Sequence, residues 1–212
     1  MPALMNDTPR PVDFWFDPIC PWTWLTSRWL REVAAQRPLD IRWRVMSLSI
    51  LNDGRDLPPE YVELLQRAWG PVRLLIAAQE QYGRAVVGDL YNELGERIHR
   101  QCRDDDAVIF TESLSAVGLP ADLVEAAHSA AWDDALRRSH DEAMALVGDD
   151  VGSPVIRLPV LGQESAAYFG PVVNPVPRGA DALRLWEGVE LLATTPQLHE
   201  LKRTRGGDPM ID

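Results

Sequence analysis

Residues Val12 to Phe16 (VDFWF) form a short apolar and aromatic run ended by Asp17-Pro18, which predicts a buried strand. After Cys20-Pro21 the spacing becomes helical, with Leu25, Trp29 and Val33 on one face and Arg28, Arg31 and Glu32 elsewhere. Pro21 suits a first helical turn, where its missing N–H has no intrahelical partner. From Ile41 to Met46 apolar and polar residues alternate, predicting a second strand with one wet face. Strand, helix, strand is the order of a right-handed βαβ unit.

From about Pro58 to Gly148 helical periods dominate, punctuated by Gly70-Pro71, Gly83, Gly118-Leu119-Pro120 and Gly148. They predict helices over 59–69, 72–82, 85–101, 106–117, 121–130 and 133–147. Strand character returns at 155–158 and 167–169, followed by an amphipathic helix over 180–193 with Leu183, Trp186 and Val189 on one face. A short helix near 197–203 completes the pattern. The order describes an α/β chain, a thioredoxin-like fold with an inserted α-helical subdomain. Its thioredoxin-like part comprises 12–57 and 151–203, and the helical insertion 58–150.

The 212 residues are 46% hydrophobic and 25% charged, enough for a real core. A formal net charge of −11 argues against nucleic acid, whose phosphates require clustered Lys and Arg. The one basic group, Lys202, Arg203 and Arg205, reads as a solvated tail or helix end. No apolar run approaches the roughly 20 residues of a membrane span. The stretch MPALMNDTPRP lacks the basic start and apolar core of a secretory signal, so a cytoplasmic protein is expected. Two cysteines, Cys20 and Cys102, make no disulfide framework.

The chemistry concentrates in Asp17-Pro18-Ile19-Cys20-Pro21-Trp22-Thr23. A sulfur at the mouth of a helix faces unpaired N–H groups and the positive end of the helix dipole. Both favour thiolate, so the Cys20 pKa is expected to fall below the free value of about 8.5. The alternative is a cysteine that merely packs. His99 and Cys102 share one helix face at their spacing, but two ligands do not make a metal site, so no metal is expected. His128, His140 and His199, in charged helical contexts, read as surface residues. Trp15 and Trp29 read as core, whereas Trp22, directly after Cys20, is the best candidate for a flat wall over a substrate.

The stretches DFWFDPICPW, VMSLSILN, AWGPVR, RIHRQ, VGSP, FGPV and ELKRTRGGDP resemble the actinobacterial branch of the DsbA family. That branch includes the mycothiol-dependent nitroreductases and is related to the FrnE proteins. The resemblance covers roughly Val12 to Pro209. It implies a thioredoxin fold with a helical insertion, Cys20 as nucleophile and a facing cis-proline loop at Ser153-Pro154. Proline alone would predict a trans bond there. It also implies a low-molecular-weight thiol such as mycothiol as co-substrate, no bound cofactor, and a homodimer.

Where the family carries a second cysteine, Cys-Pro-Trp-Cys, this chain has Thr23. A dithiol enzyme releases its mixed disulfide with that second sulfur, so an internal CxxC cycle is closed to this protein. Thr23 remains able to hydrogen-bond a thiolate one turn away. Cys20 and Thr23 are thus the catalytic candidates, with Pro21, Trp22, Trp69, His99, Ser153 and Pro154 expected around the substrate.

Three functions fit. The first is thiol-dependent redox or transfer chemistry by a monothiol enzyme on a small electrophilic substrate. The second is cis–trans isomerisation of a conjugated enone or polyene by reversible addition of Cys20. The third is a redox-inactive binding protein that keeps the fold.

Overall fold

A computed structural model describes residues 9–160 and 165–211. Its sheet has four strands, β1 (Arg10–Phe16), β2 (Leu39–Val45), β3 (Val155–Leu158) and β4 (Ala166–Phe169), in the order β2-β1-β3-β4. β1 and β2 run parallel, whereas β3 is antiparallel to both β1 and β4. The crossover between the parallel strands is helix α1 (Pro21–Ala34). Between β2 and β3 lie α2 (Leu48–Leu51), α3 (Pro59–Tyr82), α4 (Val87–Gly95), α5 (Asp106–Ala116) and α6 (Asp133–Val147), and α7 (Gly179–Ala193) follows β4. This is the thioredoxin-like α/β fold with helices inserted between β2 and β3.

The period of two along β1 divides the core. Val12, Phe14 and Phe16 face a large cluster shared with Leu25, Trp29 and Val33 of α1 and with Val72, Leu75, Ile76, Leu90 and Tyr91 of the inserted helices. Trp15 points the other way, into a smaller cluster with Met46, Leu48, Leu51, Leu65, Val155 and Cys20. The insertion therefore completes the core on both sides of the strand that leads to Cys20.

The helices differ from the sequence pattern in four places. Gly70-Pro71 does not break the chain; α3 runs through it, with Val72, Leu74, Leu75 and Ile76 fully buried just beyond. Burial of that face offsets the one ladder bond Pro71 cannot make. The helix expected over 85–101 is divided into a 3₁₀ turn (Arg84–Val86), α4 and one π turn (Glu96–Arg100). The stretch Ala121–His128 is 3₁₀ rather than α, with Leu123, Ala126 and Ala127 buried. No helix forms near 197–203, where Leu201 is 80% exposed and no apolar face is available to dock. Nor is His140 a surface residue: it is buried, and its Nδ1 accepts the Ser47 N–H at 3.4 Å.

Two glycines are required by packing: a Cβ on Gly88 would lie 2.4 Å from the Trp43 ring. A Cβ on Gly95 would lie 2.2 Å from the Trp24 ring, so α4 can rest on α1 only without a side chain there. No helix among the described residues is long and apolar enough to cross a membrane.

Candidate active site

Cys20 is the N-cap of α1: its backbone is extended (φ −77°, ψ 113°), and its carbonyl accepts the first helical bond from Trp24 N at 3.0 Å. The preceding loop is held by its own backbone and by Asp17. Cys20 N–H donates to the Asp17 carbonyl at 3.1 Å, while the Asp17 carboxylate accepts Ile19 N–H at 2.9 Å and Leu48 N–H at 2.7 Å. One buried carboxylate thus fixes both the approach to Cys20 and the start of α2.

The loop before β3 meets this turn. The Ser153–Pro154 peptide bond is cis. The Cys20 thiol points at the Ser153 carbonyl, 3.7 Å away. The Ser153 hydroxyl accepts Asp17 N–H at 3.0 Å and lies 2.6 Å from the Thr23 hydroxyl. Cys20, Thr23, Ser153 and Pro154, distant in sequence, therefore form one cluster. Pro21 opens the helix.

His99 stands behind the cluster. It is buried, its Nε2 donates to the Pro18 carbonyl at 2.8 Å, and its ring stacks on Trp24 with centroids 5.6 Å apart. Burial lowers its pKa to about 4, so the ring is neutral and carries its proton on Nε2. The π turn brings it there, and its contact is with the loop.

Trp22 is half-buried against both core clusters, and the Arg205 guanidinium sits 5.0 Å above its ring. Trp69 lines a cavity of about 200 Å³ with Ser49, Asn52, Leu57 and Leu65. Leu65 also packs in the cluster around Cys20, so cavity and cysteine share a wall, although Cys20 does not line the cavity.

The electrostatics reverse one expectation. Burial pushes the Cys20 thiol up from its ordinary value, which outweighs the opposing Thr23 hydroxyl and the Thr23 and Trp22 N–H groups; the Asp17 charge adds to the rise. The helix end acts as anticipated, but Cys20 is only 7% exposed. Burial likewise raises Asp17 to about 6 against two backbone hydrogen bonds. Tyr61 packs against the cluster that contains Cys20, and burial, Cys20 and Asp17 shift its pKa up. Neither Asp17 nor Tyr61 stood out in the sequence. Asp17 looked like a strand terminator, and Tyr61 arrives from a distant helix. Cys102, exposed with φ 51° past the π turn, donates its thiol to the His99 carbonyl at 3.6 Å. It is not part of this cluster.

A family model described as the mycothiol-dependent nitroreductase Rv2466c matches residues 19–203. The chain belongs to the Rv2466c-like family. Within the curated proteins, the uncharacterized protein Rv2286c of Mycobacterium tuberculosis is 32% identical over 201 residues, spanning 92% of this chain and 82% of that one. Solved structures share the fold. The probable DsbA oxidoreductase of Streptomyces coelicolor aligns with a TM-score of 0.56 at 19% identity, covering 92% of this chain and 94% of its own. The cytosolic disulfide reductase DsbM of Pseudomonas aeruginosa gives 0.52 at 18%, covering 86% and 100%. A 2-hydroxychromene-2-carboxylate isomerase gives 0.55 at 19%, covering 84% and 93%. These solved structures show that the chain has the thioredoxin-like fold of DsbA-type proteins.

Proposed function

We propose that this protein is a monothiol enzyme that exchanges disulfides through Cys20, with a low-molecular-weight thiol, mycothiol or a similar one, as co-substrate. The observation that carries the reading is the Cys20–Thr23–Ser153 cluster at the helix N-terminus. A chain of donors converges on the sulfur: Asp17 N–H donates to the Ser153 hydroxyl, which donates to Thr23, leaving the Thr23 O–H free to donate to a thiolate. Each donor costs nothing while Cys20 is protonated and counts only once charge develops there.

The cycle balances with one external thiol. The Cys20 thiolate attacks a mixed disulfide R–S–S–R′, forming Cys20–S–S–R and expelling R′S⁻, which takes up a proton. A second thiol R–SH then attacks, its proton passing to Cys20 as R–S–S–R leaves. Thr23 cannot attack the intermediate, so the external thiol supplies the release step.

The raised thiol pKa supports a second reading, reversible addition to a conjugated double bond. Leu48, Leu51 and Leu65 make an apolar wall for such a substrate, and a neutral thiol has its own proton to deliver to the enolate.

Intact mass after exposure to mycothiol disulfide separates the readings, with Cys20→Ser and Cys102→Ser as controls. A single adduct at Cys20, removed by excess thiol, is expected. A Cys20 that takes no disulfide adduct but is trapped by a conjugated enone would overturn exchange and favour isomerisation. Binding without any covalent adduct would leave only a binding protein.

A further inference from the structure

The basic group Lys202, Arg203 and Arg205 is solvated but not loose. Past α7 the chain forms no helix or strand through Ile211, yet it is tied down. The Asn174 side chain clamps it, its Nδ2 donating to the Asp208 carbonyl at 3.0 Å and its Oδ1 accepting Met210 N–H at 2.8 Å. Ile211 packs against the main core cluster. Just before this anchor, the Arg205 guanidinium sits 5.0 Å above the Trp22 ring. Trp22 stands two residues past Cys20 and packs against the cluster that holds the sulfur. The strap therefore carries a cation to the mouth of the cysteine site. Stacking engages only the face of a guanidinium, whereas its N–H donors lie in the plane and match a carboxylate two at a time. Among the described residues no carboxylate or carbonyl takes the Arg205 donors, and Lys202 and Arg203 add positive charge beside it in a chain of net charge −11.

We propose that Arg205 is a specificity-determining residue for Cys20: it receives a carboxylate on the leaving half, R′, of the incoming disulfide, so the preferred substrates are disulfides of acidic thiols. This rests on Cys20 as the exchanging thiol. The exchange step is the one written above, and Arg205 neither gives nor takes a proton in it.

The test is the rate at which Cys20, in a Cys102→Ser background, forms its mass adduct with 3,3′-dithiodipropionate and with the neutral bis(2-hydroxyethyl) disulfide. Measured against a small free thiol, Cys20 should prefer the acidic disulfide. Arg205→Gln should lower that preference about threefold, the effect of one exposed charge pair. Asn174→Ala, which keeps every charge and frees the strap, should lower it as well, and about 0.5 M NaCl should erase it. Alkylation by iodoacetate against iodoacetamide repeats the comparison without exchange. A Cys20 that takes neither disulfide, yet favours iodoacetate only while Arg205 is present, would overturn exchange and still support Arg205 as the selector. The proposal fails if the acidic probe is not preferred, or if the preference survives Arg205→Gln or Asn174→Ala.

Discussion

Asp13 in the middle of β1 and Asp17 just beyond its end lie four residues apart, both buried, and their carboxyl groups are driven in opposite directions. Burial raises the pKa of each. At Asp13 it is outweighed by hydrogen bonds and charge from Arg44 and Arg157, which hold the carboxyl below the ordinary range. Those arginines come from the flanking strands β2 and β3, reach Asp13 at 2.6 Å each, and straddle the Trp15 ring. At Asp17 only the Ile19 and Leu48 N–H groups oppose burial, and the pKa rises to about 6. The interior strand of the sheet, between two arginines, stabilises ionised carboxylate. Among the described residues no such cation acts on the turn before Cys20, and burial pushes carboxyl and thiol alike toward their neutral forms. A helix N-terminus alone does not make a thiolate when the sulfur is buried beside an acid.

The largest expected effect lies at Asp13 on the interior strand β1. Asp13→Ala leaves Arg44 and Arg157 facing each other and should cost about 3 kcal/mol at pH 7. Because the folded pKa of Asp13 is depressed, its contribution exists above about pH 4 and is lost as pH falls through the folded value. Urea unfolding should therefore find the variant far closer to wild type at pH 3. An equal deficit at both pH values would break the contrast.

Asp17→Ala should show the reverse dependence. At pH 4 it orphans two buried N–H groups, at a cost of about 2 kcal/mol. The folded pKa of Asp17 is raised, so its contribution is complete below the ordinary value of 3.8 and fades as pH rises through about 6. That difference is worth about 3 kcal/mol, so by pH 7 the variant should equal or exceed wild type in the same assay.

The smallest effects fall on Cys20 itself, read as alkylation rate against pH in a Cys102→Ser background. The wild-type midpoint should lie above that of a free thiol. Thr23→Val should slow alkylation at pH 8 about threefold, and Thr23→Ser should restore it. Asp17→Asn should lower the midpoint by removing the like charge. A midpoint that ignores both substitutions would separate Cys20 from the cluster.

Much of this arrangement was legible in the chain. The alternation in 41–46, the helical stripe after Pro21 and the Cys20-Pro21 junction are local, and each depends on residues within a few positions of one another. What escaped was non-local. Pro71 looked like a break until its neighbours proved buried on all sides, and His140 looked solvated until Ser47 was placed against it. The role of Asp17 as anchor of both the cysteine loop and α2 requires knowing that Leu48 folds back onto it.

By itself, then, the sequence determined the order of strands and helices, the place of Cys20 at a helix start and the lack of a second sulfur at position 23, because periodicity, proline placement and residue identity are properties of the chain. Only the tertiary structure decided the charge state of the site. A pKa is set by what surrounds a group, and the surroundings of Cys20 come from Thr23, Asp17 and a loop 133 residues away.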